Sequence, residues 1–360
     1  MFKSGITINL LDFLQRFGEN LAKDYAQSGV DIDVEGAAVS AIVSQIKGSL
    51  KSDSGSTGEN LTGIGHFCSL VRIDSTRALA IATDGVGSKI KIAEELGSFE
   101  TIGIDLIAMN VNDMICTGAR PLSLVDYIAF EKVDPEVAGA IGVGLAAGAE
   151  QAGISISGGE IATLPEIIRG VDLAGTGVGI VDIESVVTGE KIEVGDVVIC
   201  LESSGVHSNG LTLARKVLLK HYSIDDKIFG EKTVGQELLT PTKIYVPEVM
   251  ELVEKVDIHG LANITGGGLG NLQRITKYGF EITNLPEPQA VFKKIQQLEN
   301  IVDSEMYRTF NMGVGFCVVV KAGDADAVIE ICKTQGTTAQ VIGTVIEEPG
   351  VRVKDFVLSY

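Results

Sequence analysis

Positive charge is scarce in this sequence: 29 Lys and Arg stand against 48 Asp and Glu, a formal net charge of −19 over 360 residues. That deficit excludes non-specific binding to nucleic acid or to an anionic membrane, since both depend on Lys and Arg neutralising phosphates. A phosphate-bearing small molecule remains admissible, because a metal ion, backbone amides at helix starts and a few placed cations suffice to hold one. No unbroken apolar run reaches the roughly 20 residues of a membrane span. Leu10, Leu11, Leu14, Phe17 and Leu21 recur at helical spacing but are interrupted by Asp12, Gln15 and Arg16, so the first 25 residues read as an amphipathic helix, not a signal peptide. The expected location is the cytoplasm. Cys68, Cys116, Cys200, Cys317 and Cys332 are odd in number and widely spaced, which fits neither a disulfide framework nor a zinc pattern; they read as buried reduced thiols.

What is present is material for two cores. A chain of 360 residues exceeds what one hydrophobic core organises, and 45% apolar against 21% charged residues leaves no disordered bias. A second helix is expected over 36–50 and an exposed loop over 51–60 (KSDSGSTGEN), which has no apolar residue. Short β-branched runs then alternate with helical patterns: strands at 67–73, 78–83 and 122–130, helices at 105–117 and 135–152. The fold class is therefore α/β, of the α+β sandwich type. The strand 171–182 (VDLAGTGVGIVD) is rich in glycine, which marks a place where something approaches its backbone closely. The charged stretch 182–193, before the apolar strand 197–201, is the expected crossing between domains. The division is an extra helix over 1–24, a domain over 25–190 and a second over 191–360.

Several polar clusters interrupt the apolar elements. Asp84, Gly85, Gly87, Ser88 and Lys89 (DGVGSK) follow a strand directly; glycines admit a phosphate to the backbone and Asp84 offers a hard oxygen to Mg²⁺. The spacing is not that of a Walker A loop, and Asp-Gly-x-Gly by itself is commonly a turn. In the helix GIDLIAMNVND, Asp105 and Asn112 share a face, with Asp113 beside them. Carboxylates in so apolar a segment need a cation or metal to stay charged. Gly158, Gly159 and Glu160 form a third acidic point, and the three together suggest a site for Mg²⁺ and a triphosphate. Farther along, Ser204, His207, Ser208, Asn209 and Gly210 precede one helix, and Thr265, Gly266, Gly267 and Gly268 precede a shorter one. Each is a helix start with free amides for an anion, or a simple N-cap. His207, one of four histidines, is the expected proton-transfer group. The segment EMYRTFNMGVGF (305–316) is not assignable from spacing.

These stretches together resemble the phosphoribosylformylglycinamidine cyclo-ligase family. GVDID, IKG, GIGHF, TDGVGSK, TIGIDLIAMNVNDM, GGE, SSGVHSNG, LTPTKIYV, TGGG and EMYRTFNMGVGF run in that family's order across roughly residues 25 to 358. The resemblance implies two α/β sandwich-like domains, with the amino-terminal sheets of two subunits joining into a barrel, hence a homodimer. It implies ATP and Mg²⁺ as cofactors and formylglycinamidine ribotide as substrate. ATP would phosphorylate the formamide oxygen, turning a poor leaving group into phosphate, and ring closure would give aminoimidazole ribotide. By the same resemblance Asp84, Asp113 and Glu160 serve the metal and nucleotide, with Asp105 as a further candidate. Lys47 belongs to the nucleotide site, and His207, Ser208 and Asn209 face the glycine turn 265–268 on the substrate side.

The sequence departs from the family pattern in places. About four extra residues lie between Asp33 and Lys47, Asn263 stands where a histidine is frequent, and IATLP follows GGE where AEMP is usual. Thiamine-phosphate kinase and other ATP-dependent relatives of the superfamily are the nearest rival readings, and a non-catalytic nucleotide sensor is the rival from another class.

Overall fold

The computed structural model describes residues 32–50, 54–62 and 64–358. The helix expected at the amino terminus lies outside the described residues, and so does the side chain of Lys47. Helix α1 (Ile32–Ile46) leads into two sheets built from successive halves of the chain. The first sheet contains β1 (Ser69–Arg72), β2 (Arg77–Gly85), β3 (Arg120–Phe130), β4 (Ser155–Thr163) and β5 (Val171–Asp182), in the order β1-β2-β5-β3-β4. All neighbours are antiparallel except β3 and β4. The helices of this half are α2 (Ile90–Leu96), α3 (Ile102–Ile115) and α4 (Pro135–Ala152).

Helix α3 lies across β2, β5 and β3 and packs against α4, which itself touches β4. The glycines of β5 are what let it approach. A Cβ at Gly177 would stand 2.4 Å from Met114 Cε, and one at Gly179 would stand 2.7 Å from Met114 Sδ. The close approach expected at this strand is thus made by α3. Because side chains alternate along a strand, the paired row Ala82–Gly177–Leu124 faces α3 while Ile81, Val125 and Tyr127 point the other way. Those three are 36%, 43% and 44% exposed, so the sheet has one covered face and one bare apolar face.

The second sheet joins β6 (Val197–Glu202), β9 (Gly260–Asn263), β10 (Gly279–Ile282), β11 (Val314–Val320), β12 (Ala339–Ile346), β13 (Val351–Val353) and β14 (Phe356–Leu358). Their order is β14-β13-β10-β12-β6-β11-β9, with a separate hairpin of β7 (Lys227–Phe229) and β8 (Lys232–Thr233). The helices here are α5 (Leu211–His221), α6 (Val234–Leu238), α7 (Val246–Lys255), α8 (Ala290–Glu299), α9 (Asp303–Thr309) and α10 (Ala325–Thr334). Every residue of β11 is buried, as its unbroken apolar run requires, and so is every residue of β9, the polar Asn263 included. Helix α3 also touches α7 and β9, so one helix forms the core of the first half and a wall of the second. Among the described residues no helix is long and apolar enough to cross a membrane.

Candidate active site

The two halves meet along α3, and polar side chains do much of the joining. Lys89 and Asp105, both 0% exposed, form an ion pair of 2.8 Å. Lys89 Nζ also donates to the Thr240 carbonyl at 2.6 Å. Asp105 Oδ1 accepts from Ser208 Oγ at 3.1 Å and from the Thr242 backbone N–H and hydroxyl at 2.8 and 2.6 Å. One turn short of the helix end, the Asn112 amide donates to the Lys243 carbonyl at 2.8 Å and accepts from the Tyr245 N–H at 3.0 Å. Ser88 accepts from Thr212 at 2.8 Å. Lys89, Asp105 and Asn112, expected at the nucleotide, therefore spend their side chains on the seam with the segment LTPTKIYV. Neither Lys89 nor Asp105 has any exposed surface.

Asp113 occupies the last turn of α3, where β2 and β9 converge on it. Its Oδ1 accepts from Asn263 Nδ2 at 2.8 Å across the seam. Burial raises its carboxyl to about 7; the Asn263 bond and the Arg274 charge pull the other way, while the nearby Asp84 charge adds to the rise. Burial likewise raises Asp84, against the 2.7 Å bond it accepts from Gly85 N–H. Asn110 bridges the two elements by donating to the Asp84 carbonyl at 3.3 Å and to the Leu106 carbonyl at 2.9 Å, and its own Oδ1 is buried without a partner.

Strand register decides which other acids join. Asp84 pairs with Gly175, Gly175 with Asp126, and Asp126 with Gly159, so Asp84 and Asp126 lie on the α3 face of one row. Gly159 is required there, since a Cβ on it would stand 2.3 Å from Asp126 Oδ1. Glu160 falls opposite Tyr127, on the other face, and is exposed. The sequence suggests a turn or a site at Gly158, Gly159 and Glu160; the structure makes them an edge strand and does not bring Glu160 to Asp84 and Asp113. Asp126 is the acid that sequence reasoning missed, although strand alternation between Leu124 and Ile128 marks it as inward-facing. Among the described residues no three His, Cys, Asp or Glu side chains come together closely enough to hold a metal ion by themselves.

The loop 203–210 is pinned from three sides. His207, at φ 63°, accepts at Nε2 from the Ser204 N–H at 3.1 Å. Burial, then the charges of Lys89 and Lys243, hold its imidazole down at about 3, so it is neutral and its Nε2 is engaged. Ser204 Oγ donates to the Pro241 carbonyl. Asn311, from the segment that spacing left unassigned, donates to the carbonyls of Gly205 and Val206 and accepts from Ser203 and Gly313. Asn209 faces the glycine turn: a Cβ at Gly266 would stand 3.2 Å from its Oδ1. Gly267 and Gly268 adopt φ of 95° and 55°, and Gly210, at 79°, starts α5 against Phe310. Ser208, Asn209, Gly210, Thr265 and Gly266, expected on the substrate side, thus come to one seam, with the Ser208 hydroxyl turned to Asp105.

Comparisons with known proteins agree with this architecture. Residues 65–181 match the family "AIR synthase related protein, N-terminal domain", and residues 193–356 match "AIR synthase related protein, C-terminal domain". The phosphoribosylformylglycinamidine cyclo-ligase of Methanothermobacter thermautotrophicus is 52% identical over 328 residues, covering 90% of this chain and 94% of that protein. That of Thermococcus kodakarensis is 46% identical over 332 residues, covering 92% and 98%. Among solved structures, thiamine-monophosphate kinase from Stenotrophomonas maltophilia superposes with a TM-score of 0.59 at 19% identity, covering 87% of this chain and 96% of that one. T. maritima PurL complexed with ADP gives 0.57 at 16% identity, covering 83% and 45%. At such low identity the structural likeness speaks for the fold alone. The sequence identity, sustained over nine-tenths of the chain, goes further: the chain belongs to the phosphoribosylformylglycinamidine cyclo-ligase family.

Proposed function

We propose that the seam around Asp113 closes the imidazole ring of formylglycinamidine ribotide at the expense of ATP, giving aminoimidazole ribotide, ADP and phosphate. The observation that supports this reading is the Asp113–Asn263 bond, which ties the last turn of α3 to the strand that leads into the glycine turn. Phosphate on the formamide carbon leaves readily where oxide does not, so phosphoryl transfer onto that oxygen turns a stable amide into an electrophile for the amidine nitrogen.

The acids fit Mg²⁺. Asp84, Asp113 and Asp126 offer only hard oxygens, and the orphaned Asn110 Oδ1 beside them is a further acceptor. We assign the ion to Asp84 and Asp113, with Asp126 adjoining and with phosphate oxygens completing the shell; when bound it neutralises charge on the transferring phosphoryl group. Lys47, Gly85 and Gly87 are assigned to the nucleotide, and Asn209, Gly210 and the turn 265–268 to the substrate. His207, neutral and bonded to Ser204, shapes the loop that presents Asn209. Glu160 lies on the bare sheet face with Ile81, Val125 and Tyr127. We assign that face to a second copy of the chain in a homodimer, working in the cytoplasm.

The test is ADP release in the presence of Mg²⁺ with formylglycinamidine ribotide, thiamine phosphate or selenide as acceptor. Only the first should stimulate, and Asp113→Asn should abolish the stimulation while the protein stays folded. Stimulation by thiamine phosphate instead would assign the seam to a kinase.

A further inference from the structure

Arg274 ends the short 3₁₀ helix (Gly268–Arg274) that follows the glycine turn, and its side chain leaves its own half of the molecule. The guanidinium donates from Nε to the Gly65 carbonyl at 3.3 Å and from Nη2 to the His66 carbonyl at 3.0 Å. Its plane covers the Phe67 ring at 4.0 Å, a cation–π distance. All three contacts fall on GIGHF, the loop that enters β1. In the middle of the same helix, Asn271 donates to the carbonyls of Gly266 and Gly268 at 3.1 and 2.8 Å, which makes the glycine turn and the helix one unit. Asp113 lies within the reach of the Arg274 charge. One side chain therefore ties the glycine turn of the second half to the loop of the first, next to the candidate catalytic acid.

We propose that Arg274 is a positioning residue of the ring-closing reaction: its planar fork holds the GIGHF loop against the glycine turn, beside Asp113. The proposal rests on the function proposed above. Lysine does not substitute, because a single ammonium cannot span two successive carbonyls and stack on a ring at once. Among the described residues the loop has little else to hold its open end: Gly65 sits at φ 116°, and both His66 ring nitrogens are buried without a partner. Misplacement by about 1 Å of a group that orients reactants costs on the order of 100-fold in rate.

The test compares Arg274→Ala and Arg274→Lys with the wild type. In Arg274→Ala, kcat should fall by about 100-fold, with amide hydrogen exchange accelerated at residues 64–68 and circular dichroism unchanged. Added guanidinium ion at low millimolar concentration should restore roughly tenfold of that loss and ammonium should not, because only guanidinium reproduces the fork. Arg274→Lys should stay close to Arg274→Ala. Unchanged kcat, or a folded Arg274→Ala whose loss guanidinium does not relieve, would overturn the proposal. If Arg274→Ala does not fold, Arg274→Lys decides alone: wild-type kcat in that variant refutes the fork. The exchange measurement needs no substrate, so a wild-type protein that fails to turn over formylglycinamidine ribotide would refute the function without being confused with a failure of the clamp.

Discussion

Asp105 Oδ1 accepts four hydrogen bonds, three of them from Ser208 and Thr242 on the far side of the seam. Removing its charge would strand the Lys89 ammonium where no water reaches it, and breaking a buried pair costs about 3–5 kcal/mol. Asp105→Asn should therefore lose about that much stability in urea unfolding, whereas an exposed pair such as Lys191 with Asp257 should lose little. The sequence shows that an acid in so apolar a helix requires a cation. It does not show which cation, because Lys89 reaches Asp105 only after the chain folds back through α2. His207 gives a pH dependence. Its imidazole is held at about 3 in the folded protein and near its ordinary value when unfolded, so the unfolded state binds more protons in between. Its contribution to stability is present above about 6.5 and drains away as pH falls toward 3. His207→Asn, which tolerates the positive φ, should flatten that loss in unfolding measured from pH 7 to pH 4; an unaltered slope would mean that the imidazole is not held neutral.

At the scale of elements, α3 and α4 approach closely enough to exclude side chains. A Cβ at Gly103 would stand 2.1 Å from Leu145 N, and one at Gly144 would stand 2.5 Å from the Glu100 carbonyl. Gly142, two residues before Gly144 and on the opposite side of α4, has nothing within 4 Å of its missing Cβ. Gly103→Ala should thus cost about 3 kcal/mol or more through backbone displacement, while Gly142→Ala should gain about 0.5–1 kcal/mol from helix propensity. Thermal unfolding that ranked the two alike would contradict the packing. Helical periodicity places α3 and α4 well, and the alternation of strand β5 is equally plain in the sequence. Glu160 was harder, because two successive glycines read locally as a turn, and only the pairing with β3 makes them part of a strand. That long-range pairing also turns Glu160 away from Asp84 and brings Asp126 in its place, which no local pattern states outright.

For the molecule as a whole, the bare face of the first sheet and the polar seam are the two surfaces left to explain. Val125→Glu with Tyr127→Glu places like charges on the bare face and should convert a dimer to a monomer in light scattering; a dimer that persists would move the interface elsewhere. The seam bears the central claim, that a formamide oxygen is activated by phosphorylation, and the fate of that oxygen tests it. Substrate labelled with ¹⁸O in its formyl group would be turned over with ATP, and the released phosphate examined by mass spectrometry. The account predicts one ¹⁸O atom in each inorganic phosphate formed with aminoimidazole ribotide, whereas label released as water with unlabelled phosphate would contradict it.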